Sequence, residues 1–389
     1  MTDICMYFQV HQPLRLKKFT YFDIGQGKDY FDTEANKFYL ERIARKCYIP
    51  TNNALLELNR KTDGRFRASF SVSGILLELL EKEQPQVLEG FKQLSDAGFE
   101  FFAETYYHSL GWLVSEKEFK AQVEMQKKAI KKYFGSKPTT FRNTEAMYSN
   151  DIAAAAGKMG FKTIIAEGLK GILGWRSPNY VYKARGSGIK VLLRNYELSD
   201  DISFRFSEKS WNQYPLTADK YVSWLEQSPG DCINLFMDYE TFGEHQWPET
   251  GIFEFLNAFP IQALATEKLE FSTATETAAT HPARDEYDAP EINSWADVHR
   301  DLSAWLENSM QQHAFEEIKQ LGTSMKRKGK SAVDTWRKLQ TSDHYYYMCT
   351  KWFNDGDVHK YFNHYGSPYD AYLNFMNVVQ DFRKIKVID

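Results

Sequence analysis

Residues 235–248 read LFMDYETFGEHQWP, and the interpretation of the whole chain starts from this stretch. The apolar run from Ile233 to Met237 is typical of a buried strand, and the glycine and proline that follow are typical of a loop. Asp238 and Glu240 are two residues apart, which on a strand places both carboxylates on one face. A buried strand that ends in acidic and aromatic residues predicts a functional site at its carboxyl end.

Seven other stretches are also predicted to be strands, and helical patterns separate most of them. We expect strands at residues 4–10, 66–73, 99–103, 139–142, 161–166, 189–194, 231–238 and 269–273. We expect helices at residues 75–82, 87–97, 116–134, 150–159 and 217–227. Strands that alternate with helices predict an α/β fold with a parallel sheet. Several of the strands end in acidic residues, which would gather at the edge that carries the chemistry in a barrel.

The pattern changes at about residue 290, where long helical stretches at residues 296–321, 331–353 and 368–384 replace the strands. We therefore predict a catalytic α/β domain over residues 1–289 and a helical domain over residues 290–389 that packs on it. The Gly-, Trp- and Tyr-rich segment 171–188 is predicted to be an irregular loop at the rim of a groove.

The composition excludes some classes of partner. The net charge is -4 over 389 residues, so no broad attraction to nucleic acid or anionic lipid is expected. The four cysteines are widely spaced and form no CxxC pair, which predicts neither a zinc knuckle nor a disulfide framework. The chain has no basic N-terminal segment and no apolar run near 18 residues. We expect a soluble cytoplasmic protein without a membrane partner.

Two carboxylates at separate strand ends, Glu145 and Asp238, fit glycoside hydrolysis. In that reaction one acid protonates the leaving oxygen, and the other carboxylate attacks the anomeric carbon or activates water. The surplus of aromatic residues, at 15% of the chain, fits stacking against flat sugar rings. Glu104 and Glu167 also end strands, and the residues alone do not rank Glu145 above them.

Two alternatives remain open on the residues alone. One is a metal-dependent sugar deacetylase, with ligands taken from His11, His108, Asp238, Glu240 and His245. Against it, no two histidines have the local i, i+4 spacing that is common in zinc sites, so we expect no metal and no cofactor. The other alternative is a glucan-binding protein that has the fold but no turnover.

Five ordered segments together resemble the motifs of glycoside hydrolase family 57. They are HQP at residues 11–13, Gly74 with LE at 77–78, TE at 144–145, MDYETFGEH at 237–245, and SWAD at 294–297 continuing to RDLSAWL at 300–306. The resemblance covers the chain from Ile4 to about Leu306. The DYETFGEH form resembles the α-amylase-like branch of that family.

The resemblance implies an incomplete parallel (β/α)7 barrel with a C-terminal helical bundle, and an enzyme that acts on α-1,4-linked glucans with retention. A 4-α-glucanotransferase would use the same site. By motif position Glu145 would be the nucleophile and Asp238 the general acid and base, with carboxyl groups about 5 to 5.5 Å apart. The residues expected to contact an α-glucan or maltooligosaccharide are His11, Gln12, Glu78, His108, Glu240, His245, Trp247 and Trp305, and Trp112 is a further candidate for stacking.

Like charge around Asp238 is a further expectation. Glu240 and Glu244 lie close to Asp238 in the sequence and are expected to raise the pKa of its carboxyl. On the residues alone, any of these three acids could donate the proton.

Overall fold

The computed structural model describes residues 1–351 and 363–384, and within these ranges ten strands form two sheets. The strands are β1 (Thr2–Val10), β2 (Ser69–Val72), β3 (Glu100–Phe101), β4 (Thr140–Arg142), β5 (Thr163–Glu167), β6 (Tyr182–Ala184), β7 (Lys190–Arg194), β8 (Cys232–Asp238), β9 (Leu269–Phe271) and β10 (Glu286–Tyr287). All eight predicted strands are present, several of them shorter than predicted.

The first sheet has the order β3-β2-β1-β8, and β9 pairs with the first residues of β1. All of these pairings are parallel. Side chains alternate along β1, so that Ile4 and Phe8 belong to the main hydrophobic core while Cys5 and Tyr7 enter a second cluster on the other face. A strand buried on both faces explains the continuous apolar run. The register places Gln9 opposite Asp238, so β1 and β8 end together.

The second sheet has the order β10-β6-β7-β5-β4. Its β4, β5 and β7 are parallel neighbours, whereas β6 runs antiparallel to β7. A parallel bridge between Ala103 and Phe141 links it to the first sheet. At the other seam, the Asn234 amide donates to the Leu193 carbonyl over 2.9 Å. Because the strands form two hydrogen-bonded sheets and not one continuous ring, the incomplete (β/α)7 barrel stays a prediction.

The helices that cover the sheets in the first part of the chain are α1 (Thr33–Ile43), α2 (Ile49–Lys61), α3 (Gly74–Glu83), α4 (Pro85–Asp96), α5 (Gly111–Val114), α6 (Glu116–Phe134), α7 (Asn150–Lys158), α8 (Lys170–Leu173), α9 (Tyr196–Ser203), α10 (Ala218–Gln227), α11 (Ile252–Ala265) and α12 (Ala274–Thr280). The later ones are α13 (Ser303–Leu306), α14 (Ser309–Arg327), α15 (Lys330–Lys338), α16 (Ser342–Tyr346) and α17 (Pro368–Lys384). None of the helices in the described ranges is both long and apolar enough to cross a membrane.

Helix α6 shows how local sequence sets these elements. The Ser115 side chain accepts the backbone N–H of Glu118 and so caps the first turn. Gly135 ends the helix in the left-handed conformation, with φ of 69°. Between these residues, Phe119 and Val123 are buried, and the Phe119 ring packs edge to face against Phe141 of β4. The capped amphipathic helix therefore fixes the strand that leads to Glu145.

The C-terminal helices pack against the loop that follows β1. Leu16 and Phe19 from this loop share a hydrophobic cluster with Trp336 of α15 and with α17. Phe19 also donates its backbone N–H to the Asn374 side chain over 2.6 Å. The helical region is thus attached to the α/β part through a mixed apolar and polar contact. The predicted division between residues 289 and 290 is not tested by these contacts and stays a prediction.

Segment 171–188 is irregular at residues 174–181 and 185–188, but not throughout as predicted. It contains most of α8 and the whole of β6, which pairs antiparallel with β7 through Tyr182 opposite Val191. Pairing of this kind depends on a partner strand, so local sequence irregularity did not reveal it.

Two predicted C-terminal helices are each divided into shorter ones. Residues 296–302 are not helical, Asp297 and Arg300 have φ of 55°, and α14 begins only after a capping box formed by Asn308 and Gln311. The predicted helix 331–353 is divided into α15 and α16, and its last two residues lie outside the described ranges.

Candidate functional site

A cavity of about 380 Å³ opens where β1 and β8 end. The predicted site residues that line it are Glu145, Asp238, His11, Gln12, His108, Glu240, His245 and Trp305. These residues come from widely separated parts of the chain. The parallel sheet brings them together because its strand ends meet at one edge, as expected from the α/β pattern.

Glu145 lies in a short turn, Thr144–Ala146, directly after β4. Glu145 and Ala146 have φ of 56° and 50°, a left-handed conformation that non-glycine residues rarely adopt. Three donors hold the carboxylate: the Trp295 indole contacts Oε2 at 3.0 Å, and the Ser342 hydroxyl contacts Oε1 at 3.1 Å. Nε2 of His108 lies 3.3 Å from Oε1. A strained backbone and three fixed donors orient this carboxylate before any ligand binds.

His108 lies between two carboxylates. Its Nδ1 is 2.6 Å from Glu104 Oε2, and its Nε2 contacts Glu145. Burial alone would lower the pKa of His108, but the two carboxylates outweigh burial and raise the pKa to about 10. Burial likewise opposes ionisation of Glu145, but the hydrogen bond and charge of His108, together with Arg142, lower the pKa of the Glu145 carboxyl. At neutral pH this part of the site holds a cationic imidazole beside an ionised glutamate.

The ring of His11 is stacked on the ring of His108, with centroids 4.0 Å apart and planes inclined by 20°. Nδ1 of His11 lies 2.7 Å from the Ser73 hydroxyl, and Nε2 lies 3.1 Å from Asp343. Burial and the neighbouring His108 lower the pKa of His11. Two unit charges about 4 Å apart would repel by about 4 kcal/mol at an effective dielectric constant of 20, so one cation is favoured over two. The stack therefore pairs a neutral His11 with a charged His108.

Asp238 is the last residue of β8, and its carboxyl differs electrostatically from that of Glu145. Burial, and then the charge of Glu145, raise the pKa of Asp238 to about 6, although Arg142 and His108 act in the opposite direction. Two carboxyls whose environments separate their pKa values are the usual arrangement for an acid and a nucleophile in one site. The pair can hold one proton on Asp238 while Glu145 remains ionised.

Glu240 is the second buried acid of the stretch 235–248. Its Oε1 accepts the Tyr48 hydroxyl at 2.5 Å and the Gln12 amide at 3.5 Å. Burial and the charge of Asp238 raise the pKa of Glu240 to about 8. Glu244, in contrast, does not line the cavity and pairs with the Arg42 guanidinium at 2.6 Å. The expected influence of Glu244 on Asp238 is replaced by that of Glu145.

Of the three glutamates at strand ends, Glu145 lines the cavity and Glu104 and Glu167 do not. Glu104 is fully buried and holds His108. Glu167 is fully buried and lies 3.2 Å from the Arg194 guanidinium and 2.8 Å from that of Arg300. Neither carboxylate lines the cavity. Glu145 is the better candidate for a site residue because Glu104 and Glu167 are buried away from the cavity, which the sequence did not reveal.

Three contributors were not among the predicted site residues. Trp295 lines the cavity, and the guanidinium carbon of the fully buried Arg142 lies 4.3 Å from the centre of the Trp295 ring. Trp295 stands inside the last family-like motif, which was the available signal. Asp343 reaches His11 from α16, and no pattern in the sequence links residues 332 positions apart.

Some of the residues that were predicted to contact substrate do not line the cavity or cannot stack on a sugar there. Glu78 is exposed on α3, where it accepts the Tyr106 hydroxyl at 2.6 Å, and it lies outside the lining. Trp247 is 54% exposed but is also outside the lining. Trp305 lines the cavity but is only 1% exposed, so it cannot offer a ring face for stacking. Trp112 packs edge to face on Phe119, away from the cavity.

The remaining predicted contact is His245, which lines the cavity and is neutral at ordinary pH because burial lowers its pKa to about 4. Over residues 1–351 and 363–384, no three His, Cys, Asp or Glu side chains are grouped as a metal site would require. In addition, both ring nitrogens of His11 and of His108 already contact protein groups.

Comparison of the sequence with known proteins places this geometry in a family. The model of the family described as Glycosyl hydrolase family 57 matches residues 5–290. A protein of Methanocaldococcus jannaschii named "Putative alpha-amylase" is 46% identical over 397 residues, which cover 97% of this chain and 84% of that protein.

Solved structures share the fold at low sequence identity. A 4-α-glucanotransferase from Thermococcus litoralis has a TM-score of 0.68 at 17% identity and covers 88% of this chain, while the chain spans only 56% of that protein. A branching enzyme from Thermococcus kodakaraensis has a TM-score of 0.68 at 15% identity, with 93% and 87% of the two chains covered. The α-amylase AmyC from Thermotoga maritima has a TM-score of 0.61 at 14% identity and covers both chains fully.

The family match extends over most of the sequence and ends near the last strand, and the archaeal relative is similar along nearly the entire chain. The chain therefore belongs to glycosyl hydrolase family 57.

Proposed function

We propose that the protein is a retaining glycoside hydrolase that acts on α-1,4-linked glucans, with Glu145 as the nucleophile and Asp238 as the acid and base. The observation that carries this proposal is the electrostatic contrast of the two carboxyls in one cavity. The pKa of Glu145 is lowered by His108 and Arg142, and the pKa of Asp238 is raised to about 6. An ionised nucleophile and a protonated acid are therefore available together at mildly acidic pH.

In the first step, an oxygen of Glu145 forms a bond to the anomeric carbon while the bond from that carbon to the leaving oxygen breaks. Asp238 gives its proton to the leaving oxygen. In the second step, Asp238 takes a proton from water, the water oxygen bonds to the anomeric carbon, and Glu145 leaves as a carboxylate. Two inversions at one carbon give net retention.

The substrate class rests on the relatives and on the lining of the cavity. The archaeal relative is named as an α-amylase, and the solved structures include a 4-α-glucanotransferase and a branching enzyme. Membership of glycosyl hydrolase family 57 favours a glycoside hydrolase over the metal-dependent deacetylase alternative. A 4-α-glucanotransferase remains the second candidate, since its chemistry differs only in whether water or a sugar hydroxyl attacks the glycosyl-enzyme.

The two carboxylates are tested by Glu145→Gln and Asp238→Asn with soluble maltooligosaccharides. We expect activity to fall by about four orders of magnitude or more in Glu145→Gln, since removal of one member of a catalytic unit has effects of this size. The exposed Glu197→Gln is the matched control and should behave as the native protein. Native activity in both active-site variants would contradict the assignment.

The two steps are separated with α-maltosyl fluoride, whose leaving group needs little acid assistance. In Asp238→Asn the glycosyl-enzyme should accumulate, because the base for the second step is absent, and mass spectrometry should find one maltosyl unit on the peptide that contains Glu145. Chromatography of the products from one pure maltooligosaccharide then distinguishes shorter chains, which indicate hydrolysis, from longer chains, which indicate transfer. Binding without any product would support the non-catalytic alternative.

The proposal also includes the incomplete (β/α)7 barrel over residues 1–289 and the helical domain over residues 290–389. In this proposal the helical domain completes the site of the barrel, since Ser342 and Asp343 reach Glu145 and His11 from α16. A fragment that ends at residue 289 should therefore lack activity, even if circular dichroism shows a cooperative unfolding transition.

A further inference from the structure

A buried pair of side chains, Glu104 and His108, stands beside Glu145 without being part of the two-carboxylate reaction. Glu104 is fully buried, and its Oε1 accepts the Gln9 amide at 3.2 Å while its Oε2 contacts His108. The second ring nitrogen of His108 contacts Glu145. An ionised carboxylate can only accept hydrogen bonds, so both ring nitrogens must carry protons for both contacts to form. With Glu104 and Glu145 both ionised, this geometry fits an imidazolium.

The other groups around His108 favour this charge. The ring face of His108 is covered by His11, which is itself bound by Ser73 and Asp343. The ionisable groups that act on His108 or on its two partners are Glu104, Glu145, His11, Asp343, Asp238, Arg142 and Tyr7. Four of these seven are carboxyls. A neutral His11 next to the ring adds no positive charge to oppose it.

The backbone of His108 adds a second sign of a constrained role. His108 has φ of 48°, so its ring is presented from a left-handed turn, as Glu145 is. His108 and Glu145 contact each other through their side chains, and both have this rare backbone conformation. Such a conformation is held by the surrounding structure and not by local preference. The contact between them is therefore built by the fold.

We propose that Glu104 and His108 are positioning residues that hold the Glu145 carboxylate in place as an anion, which rests on the proposed role of Glu145 as the nucleophile. Glu145 begins the first step as an anion and leaves the glycosyl-enzyme as an anion in the second. A fixed cation at Oε1 stabilises both of these states. Glu104 acts one step further away, by keeping the proton on His108.

The test uses His108→Asn and Glu104→Gln in the full chain. Asparagine is chosen because it tolerates the left-handed conformation of residue 108. The first matched control is His281→Asn, whose imidazole pairs with Asp3 at 3.0 Å near the start of β1. The second is Glu100→Gln, a half-buried carboxyl of β3 outside the main cavity. Thermal unfolding of each variant shows that it is folded.

For His108→Asn we expect kcat/KM on α-maltosyl fluoride to fall by about 100-fold, the usual size for loss of one donor to a charged reacting group. The acid limb of the pH profile should move to higher pH, because Glu145 loses the cation that favours its ionised form. A merely structural role would lower activity without moving this limb. The two controls should leave the limb where it is in the native protein.

A measurement independent of turnover is ¹⁵N NMR of histidine-labelled protein, with the His108 signals assigned by their loss in His108→Asn. In the native protein both ring nitrogens of His108 should stay protonated at pH 8, and in Glu104→Gln the ring should lose a proton at lower pH. If His108→Asn does not fold, Glu104→Gln still reports on the same charge. A neutral His108 at pH 7 in the native protein would overturn the inference.

The result also separates this inference from the proposed function. An active Glu145→Gln protein means that the proposed function has failed. An inactive Glu145→Gln protein together with unmoved pH limbs in His108→Asn and Glu104→Gln means that only the positioning role has failed.

Discussion

The indole nitrogen of Trp295 donates a hydrogen bond to Oε2 of Glu145 over 3.0 Å, and the backbone N–H of the same tryptophan donates to the Glu145 carbonyl over 3.2 Å. One residue thus fixes both the side chain and the main chain of a glutamate that has a strained backbone. The Trp295 ring is in turn held against the buried Arg142 guanidinium. The segment after residue 290 therefore helps to determine where the Glu145 carboxylate points.

Trp295→Phe should remove the side-chain donor and keep an aromatic ring against Arg142. Hydrogen bonds to charged groups contribute about 1.5 to 3 kcal/mol, so we expect kcat to fall by about 10- to 150-fold with little change in KM. Steady-state kinetics on a maltooligosaccharide measures both constants. Trp224→Phe, a partly buried tryptophan packed near Tyr221, is the control. An unchanged kcat would show that the indole hydrogen bond has no role in catalysis.

Asp343 should act mainly by orienting His11. Asp343→Asn keeps an acceptor for the His11 ring, so we expect a change in kcat/KM of only a few fold, whereas Asp343→Ala removes the acceptor and should lower kcat/KM by about tenfold or more. The control is Asp334→Asn, a half-buried aspartate outside the cavity that accepts the Tyr107 hydroxyl at 2.8 Å and pairs with Lys338 at 2.6 Å. Equal effects of the two Asp343 substitutions would mean that charge, and not orientation, is what matters there.

The elements that sequence reasoning predicted best are those set by local pattern. The apolar run before Asp238 and the helix between Ser115 and Gly135 are present because burial, capping and glycine conformation act over a few residues. The division of the helical stretch after residue 296 was missed, since it depends on two left-handed residues and a cap at Asn308.

The site residues show the same limit. Glu104, Glu145 and Glu167 all follow strands, and only their tertiary surroundings make two of them buried ion-pair partners and one a cavity residue. The family resemblance favoured Glu145 by its position in a motif, without that knowledge. No sequence pattern pointed to Asp343, because its contact with His11 is made across 332 residues.

Glu240 should make the protein less stable as the pH rises. Its pKa is about 8 in the folded chain and near 4.5 when exposed, so the folded state binds more protons between these values and stability is lost across that window. The loss is on the order of several kcal/mol at about 1.4 kcal/mol for each pH unit. Chemical denaturation from pH 5 to 9 should show this slope.

Glu240→Gln removes the ionisable group, so the free energy of unfolding of this variant should vary less over the same pH range. The difference in stability between the variant and the native protein should favour the variant most above pH 8. Glu249→Gln changes an exposed glutamate in the turn Pro248–Thr250, so this control should keep the native slope. A native slope in Glu240→Gln would show that Glu240 is ionised in the folded protein at neutral pH.

Arg142 should set the pH range in which the two carboxyls work together. Its positive charge lowers the pKa of both Asp238 and Glu145, so its removal should raise both values. If Glu145 and Asp238 act as proposed, the acid limb of kcat/KM should report the ionisation of Glu145, and the alkaline limb should report the Asp238 proton and lie near pH 6 in the native protein. In Arg142→Gln both limbs should move to higher pH. Arg142→Lys keeps the charge and should move the limbs less. Full pH profiles of the three proteins, with thermal unfolding as the check on folding, measure this, and limbs that move in opposite directions would contradict a shared electrostatic cause.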